Sequence, residues 1–406
     1  MSVIKACLRH EWIPVALVVF ILVKLCLDQS ANSSRYSSAI GTLMAQEDIQ
    51  TRLVSNFLQR NQLVSLLSRA EANSTHDTET AYAARVFYKR CFSRPTVNQS
   101  KRNSSEHPHF PGFVIENAGL CGAGQRVDVL VYVNSAVQNR ERRRAIRHSW
   151  ASHNAFTGII VRLVFILGQA GSRREQLELL SEQASWGDIV QAKFEDTFRN
   201  LTFKAVTFMT WFNAHCAQAQ YVVKVDDDMF VDMFSVVFNI IPKMAEKEYA
   251  MACSYTKHGK IIRDPKSHWY VESSLLAGHN HYPGFCPGFF SVITGNIIPE
   301  LYENSFSVKD FIPVDDVYMT GLSLKNPKRV SIVDIRDQLY PNERSDPHQE
   351  LKVNGHFEYT AFRVKEEKQQ MSLWNLKLSK LSGLEQRFSS YKDKFSIYEK
   401  LPVIIK

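Results

Sequence analysis

The 406-residue chain has no long basic block and no alternation of basic with aromatic residues, although its formal net charge is +8. Positive charge spread this thinly leaves no electrostatic footprint for nucleic acid, and no nucleic-acid partner is expected. A calcium loop is missing too. Counted from Asp226, the EF-hand pattern asks for Gly at its sixth position and Glu at its twelfth, where Val231 and Val237 stand. No small-residue cleavage site follows the apolar run from Trp12 to Leu27, which favours a retained anchor over a cleaved signal peptide. The tail, residues 376–406, carries no chemical signal.

The apolar run is preceded by Lys5, Arg9 and His10 and broken only by Pro14 and Lys24. Basic residues in front keep an N-terminus cytoplasmic, and Lys24 lies near enough to the end to snorkel. The expectation is a cytoplasmic tail over 1–11, a single transmembrane anchor over 12–27 and a lumenal body. N-x-S/T acceptors at Asn32, Asn73, Asn98, Asn103 and Asn200 suit that compartment. Residues 28–119, rich in Ser, Asn, Thr and Arg in their first part, read as a stem. Within it Ile49, Leu53, Val54, Phe57, Leu58, Val64 and Leu67 recur at helical spacing, giving a helix that packs on the body or pairs with a second copy as a homodimer. Beyond the anchor stand Cys91, Cys121, Cys216, Cys253 and Cys286, an odd number, so at least one is free or pairs between chains.

With 45% hydrophobic and 22% charged residues the rest is globular. Apolar runs at 127–133, 161–167, 188–192 and 249–253 read as strands. They alternate with helices around 142–150, 177–180, 200–216 and 233–247, which implies a mostly parallel α/β sheet. The strand Tyr221 to Val225 ends in Asp226, Asp227 and Asp228. Carboxylates at the end of a buried strand need a partner, and a hard divalent cation is a natural one. On an extended segment Asp226 and Asp228 share a side and could share one ion and the ligand it carries, with Asp227 pointing elsewhere. Asp315 and Asp316 form a second acidic pair before a helix, placed to act as a base or to cap the helix. A short strand-like run from Leu351 ends at His356.

Several ordered stretches together carry a resemblance: Arg143 to Trp150, Phe165-Ile166-Leu167-Gly168, Asp188-Ile189-Val190, Asn200-Leu201-Thr202 with Lys204, Val223 to Asp228, Trp269-Tyr270, Tyr282-Pro283 with Cys286 and Gly288, and Asp315 to Tyr318. Between about 120 and 365 the chain resembles the Golgi β1,3-glycosyltransferases, which include β1,3-galactosyltransferases and β1,3-N-acetylglucosaminyltransferases. The resemblance implies a Rossmann-like GT-A catalytic domain, taken as 120–375, in a type II Golgi membrane protein that binds Mn²⁺ and a UDP-sugar donor. It implies Asp228 and His356 as metal ligands, with His356 preferred to His348 because it follows the strand-like run. Asp226 would lie near the nucleotide ribose, Asp227 would organise the motif, and Arg143, Arg147 and Lys204 would line the donor pocket.

The same resemblance makes Asp316 the base for an acceptor hydroxyl, Asp315 its capping or acceptor-contacting neighbour, and Trp269 and Tyr282 the sugar wall. Attack with inversion would place a hexose, galactose first and an N-acetylhexosamine second, in β1,3 linkage on a glycan of a glycoprotein or glycolipid. A non-catalytic glycan-binding relative is the alternative of another class. Two departures from the family pattern stand out. Phe290 replaces the second glycine of the loop after Tyr282-Pro283, a bulky ring expected to narrow the sugar pocket, and Asp315 replaces a frequent Glu.

Overall fold

The computed structural model describes residues 87–94, 107–122, 124–152, 159–340, 346–354, 357–364 and 366–380. The expected anchor at 12–27, the stem helix over 49–67, the acceptors Asn32, Asn73, Asn98 and Asn103, and His356 lie outside them. Among the described residues no helix is long and apolar enough to cross a membrane.

The elements alternate as the sequence pattern implies. Strand β1 (Phe113–Ile115) and β2 (Val129–Asn134) precede α1 (Arg140–His148) and β3 (Val161–Gln169). Helix α2 (Arg173–Trp186), β4 (Ile189–Glu195), α3 (Leu201–His215), β5 (Tyr221–Asp226) and β6 (Met229–Val231) follow. A helical run over 233–244, π-helical at Val236–Ile240, leads to β7 (Ala250–Cys253), β8 (Phe290–Thr294) and α4 (Ile297–Ser305). After a π-helical turn, Val317–Leu322, come β9 (Ser331–Asp334), β10 (Leu339–Tyr340), α5 (Pro347–Asn354) and β11 (Ala361–Arg363).

The main sheet has the order β1-β4-β3-β2-β5-β8-β7-β9. Strands β2, β3, β4, β5, β7 and β9 run one way, and β1 and β8 run the other. The central strands are covered on both faces, which is why they read as nearly unbroken apolar runs. Period two splits them: Val129, Val131, Val133, Val223 and Val225 enter one core, while Leu130, Tyr132 and Val222 enter the other. Helix α3 is buried from Thr202 to Asn213 apart from Phe203, as befits a helix apolar on all sides. A small second sheet, β10-β11-β6, leaves the large one at the acidic turn after β5.

Both ends of the folded body extend past the expected limits. Strand β1 pairs with β4 and so belongs to the sheet, inside the span read as stem. Phe92 is buried beside Tyr221, and Arg94 donates to the carbonyls of Met244 (2.7 Å) and Lys247 (2.8 Å), satisfying the end of the 233–244 helical run. At the other end, helical residues 367–380 bury Leu373, Trp374 and Lys377, and Lys377 Nζ pairs with Asp232 Oδ2 at 2.8 Å. Disulfides join Cys121 to Cys216 and Cys253 to Cys286, leaving Cys91 buried and free.

At 351–354 the structure differs from the strand-like reading. Leu351 to Asn354 end a helix, α5, not a strand. Pro347 stands in its first turn, and Asp346 Oδ1 accepts from the amides of His348 (3.0 Å) and Gln349 (3.3 Å), a cap that outweighs the β-branched Val353. The strand argument for preferring His356 over His348 therefore falls. His348 itself hydrogen-bonds Ser372 Oγ at 2.8 Å.

Candidate active site

The chain lays down β2, β3 and β4 on one side and then crosses back to place β5 against the other side of β2. Such a reversal opens a crevice at the carboxyl ends of the two inner strands, where open α/β sheets bind ligands. Asn134 and Asp226 are register partners at that edge. Ser135 follows the first, and Asp227 and Asp228 follow the second.

Asp227 and Asp228 lie in the turn between β5 and β6, so the extended alternation expected for Asp226 and Asp228 stops at Asp226. Asp227 faces the start of α1. It accepts from Ser135 Oγ (2.7 Å), Asn139 Nδ2 (2.9 Å) and Arg142 Nη1 (3.0 Å), a fully engaged carboxylate that fixes the turn. Asp228 faces the small sheet, with Oδ2 3.1 Å from Arg363 Nε and its backbone carbonyl accepting from Val364 N–H. Its Oδ1 is buried without a hydrogen-bond partner. Asp226 is pushed up to about 7 by burial and by the charges of Asp315, Asp228 and Asp227, against the pull of Lys224.

The second acidic pair meets the first across Lys224. Lys224 Nζ lies 3.0 Å from Asp315 Oδ2 and donates to the Gly288 carbonyl at 2.9 Å. Asp316 Oδ2 accepts from Gly288 N–H (2.9 Å) and Oδ1 from Val317 N–H (2.8 Å). Burial and the Asp315 charge push Asp316 up to about 6, with Lys224 opposing them. A buried carboxylate held by two amides and titrating close to neutrality suits proton transfer. Tyr282 is nearby: its hydroxyl is buried and unpartnered, and burial together with the Asp316 charge pushes the phenol up to about 12.

The cations expected in the donor pocket are engaged elsewhere. Arg143 and Arg147 are one helical turn apart on the buried face of α1, not on a solvated one. Arg143 pairs with Glu182 (2.7 Å), and Arg147 binds Asp188 through Nε (2.7 Å) and Nη2 (2.8 Å). Lys204 pairs with Asp196 at 2.6 Å and donates to the Ser135 carbonyl. Arg143 still touches the site indirectly, through Ser135 Oγ at 3.3 Å, the hydroxyl that binds Asp227. Trp269 is 60% exposed beside His268. Asn200 Nδ2 donates to the Glu195 carbonyl (2.9 Å), and Thr202 of its acceptor triplet is buried with its hydroxyl on the Ile312 carbonyl (2.6 Å). Phe290 does not narrow a pocket. It opens β8 opposite Val225 and turns into the core with Val223 and Val225.

The Galactosyltransferase family model matches residues 141–336, which include both acidic pairs and Lys224. This segment is similar to the Galactosyltransferase family. Over 220 residues the chain is 29% identical to the mouse and human proteins named Beta-1,3-galactosyltransferase 1, covering 54% of this chain and 66% of each relative. It is 28% identical over 228 residues to the rat Lactosylceramide 1,3-N-acetyl-beta-D-glucosaminyltransferase, covering 54% of this chain and 59% of that protein. The chain thus matches slightly less than two thirds of the length of these relatives.

Four contacts of the site were missed from sequence. Arg142, not Arg143, reaches the triple aspartate, because consecutive residues of a helix point about 100° apart and a run of three arginines does not say which one faces inward. Lys224 and Ser135 looked like ordinary strand and loop residues. Arg363 lies beyond the matched segment, and only the pairing of β11 with β6 brings it to Asp228.

Proposed function

We propose that this chain is an inverting glycosyltransferase of GT-A type that moves galactose from UDP-galactose to a glycan hydroxyl in β1,3 linkage. The observation that carries the proposal is the convergence of Asp226–Asp228 and Asp315–Asp316 around Lys224 at the β2–β5 crevice, inside the segment similar to the Galactosyltransferase family. The names of the relatives support β1,3 transfer of galactose or N-acetylglucosamine.

Manganese fits Asp228, whose buried Oδ1 has no protein partner, because a hard cation held by few carboxylates completes its shell with water and phosphate oxygens. Bound there, Mn²⁺ would neutralise the diphosphate leaving group. The protein's own residues do the rest. Asp227, clamped by Ser135, Asn139 and Arg142, fixes the turn, and Arg363 aims Asp228. Asp226 is placed to contact the donor, and Asp316 takes the proton from the acceptor hydroxyl as its oxygen attacks C1, which turns an α-linked donor into a β-linked product. The Tyr282 hydroxyl offers a free hydrogen bond to a sugar. Golgi residence, type II anchoring and a glycoprotein or glycolipid acceptor complete the proposal.

The test is incubation of the purified full chain with UDP-galactose, UDP-GlcNAc or UDP-GalNAc and a panel of glycans, with NMR of the product. The expected product carries a β-galactosyl residue on a 3-hydroxyl. Transfer only from an N-acetylhexosamine donor replaces galactose in the proposal, and Mn²⁺-dependent UDP binding without product on any acceptor points to a binding protein instead.

A further inference from the structure

Lys224 has no task in the scheme above. It stands opposite Tyr132 across the β2–β5 pairing, with Nζ 5.9 Å from the Tyr132 ring centroid, and its side chain is only 2% exposed. An ammonium group withdrawn from water is unfavourable unless opposite charges surround it. Here they do. Asp315 Oδ2 is 3.0 Å away, and the charges of Asp226 and Asp316 act on it as well.

Its remaining contact is directional. The Gly288 peptide accepts from Lys224 on its carbonyl and donates to Asp316 from its amide, each at 2.9 Å. A Cβ at 288 would stand 3.0 Å from Lys224 Nζ and 3.5 Å from Asp316 Cβ, so a side chain there would crowd Lys224 while meeting Asp316 at ordinary contact distance. The peptide is also anchored. Cys286, two residues before it, is bonded to Cys253, and its N–H donates to Thr320 Oγ1 (3.0 Å), which itself donates to the Asp316 carbonyl (2.8 Å).

We propose that Lys224 is a positioning residue for Asp316, acting through Asp315 and the Gly288 peptide to hold the base ionised and aimed. This rests on the reading of Asp316 as the base. The groups around Asp316 are Asp315 from its own turn, Lys224 from β5, the amides of Gly288 and Val317, and the Tyr282 phenol. Lys224 favours the charged carboxylate and Asp315 disfavours it, so removing one or the other should move the base in opposite directions.

The experiment is the pH–rate profile of the full chain, with the donor that wild type turns over, for Lys224→Met and Asp315→Asn. In Lys224→Met the acidic limb should move up by about one pH unit. Its kcat near neutrality should fall about 10–100-fold with donor KM nearly unchanged. In Asp315→Asn the limb should move down. Should Lys224→Met fail to fold, Lys224→Gln, which removes the charge but keeps a donor for the Gly288 carbonyl, takes its place and should move the limb up in the same way. Limbs that stay at the wild-type pH while rates drop uniformly would reduce Lys224 to a structural residue and overturn the proposal. A wild-type chain without turnover on any donor is a distinct result, overturning the transferase reading and this proposal with it.

Discussion

Asp316→Asn lowers kcat by about 10²–10⁴-fold, the range expected when a positioned general base is lost. The carboxylate is buried, held by the amides of Gly288 and Val317, and pushed up to about 6. The base must be ionised to accept a proton, so wild-type activity should fall as the pH drops through about 6 and level off above it. Asparagine keeps one acceptor oxygen for these two amides and turns an NH₂ group toward the other, which costs about 1–3 kcal/mol of stability. Thermal unfolding alongside the kinetics separates the two effects. Loss of transfer with Mn²⁺-dependent UDP binding retained supports the assignment, whereas a variant that still turns over at more than a tenth of the wild-type rate excludes Asp316 as the base.

Arg143→Met lowers folding stability by about 3–5 kcal/mol, the range for breaking a buried ion pair by removing one partner. Arg143, Arg147 and Glu182 form one buried network: Arg143 Nη2 and Arg147 Nη1 each stand 2.7 Å from Glu182, and every side chain involved is at most 3% exposed. Loss of Arg143 strands part of that charge. The two guanidinium groups hold Glu182 below the usual carboxylate range against the effect of burial. The stability they confer is therefore present above the unfolded-state value and is lost as the pH falls through the lower folded value. Denaturant titration at neutral and acidic pH checks both magnitude and direction. An unchanged midpoint together with a raised donor KM would return Arg143 to the donor pocket, where the sequence resemblance had put it.

Much of the fold was legible because its strands and helices announce themselves by period and composition. The run from Tyr221 to Asp228 signals a buried strand ending at a site, and the structure has that strand in the centre of its sheet. What stayed hidden was direction around a helix axis and contact between segments far apart in sequence. Arg142, Arg143 and Arg144 are chemically identical, and only packing against α2 shows that Arg143 turns inward to Glu182 while Arg142 reaches Asp227. Lys224 interrupts an apolar strand without any local sign that Asp315 lies against it, 91 positions later. At 351–354 the sequence reads as a short strand-like run, but the Asp346 cap and Pro347 make a helix. The glycine replacement at Phe290 looked like a change in the pocket, and period two in β8 sent the ring to the core instead.

The proposed transfer requires the paired acidic motifs to act together with a bound divalent metal. Its most direct test is UDP release from UDP-galactose by the purified full chain with a glycan acceptor, measured in Mn²⁺ and again in EDTA, with Asp228→Asn measured alongside. The expected result is acceptor-stimulated release in Mn²⁺ that EDTA abolishes and that Asp228→Asn loses. Release that persists in EDTA, or an Asp228→Asn chain as active as wild type, would contradict it.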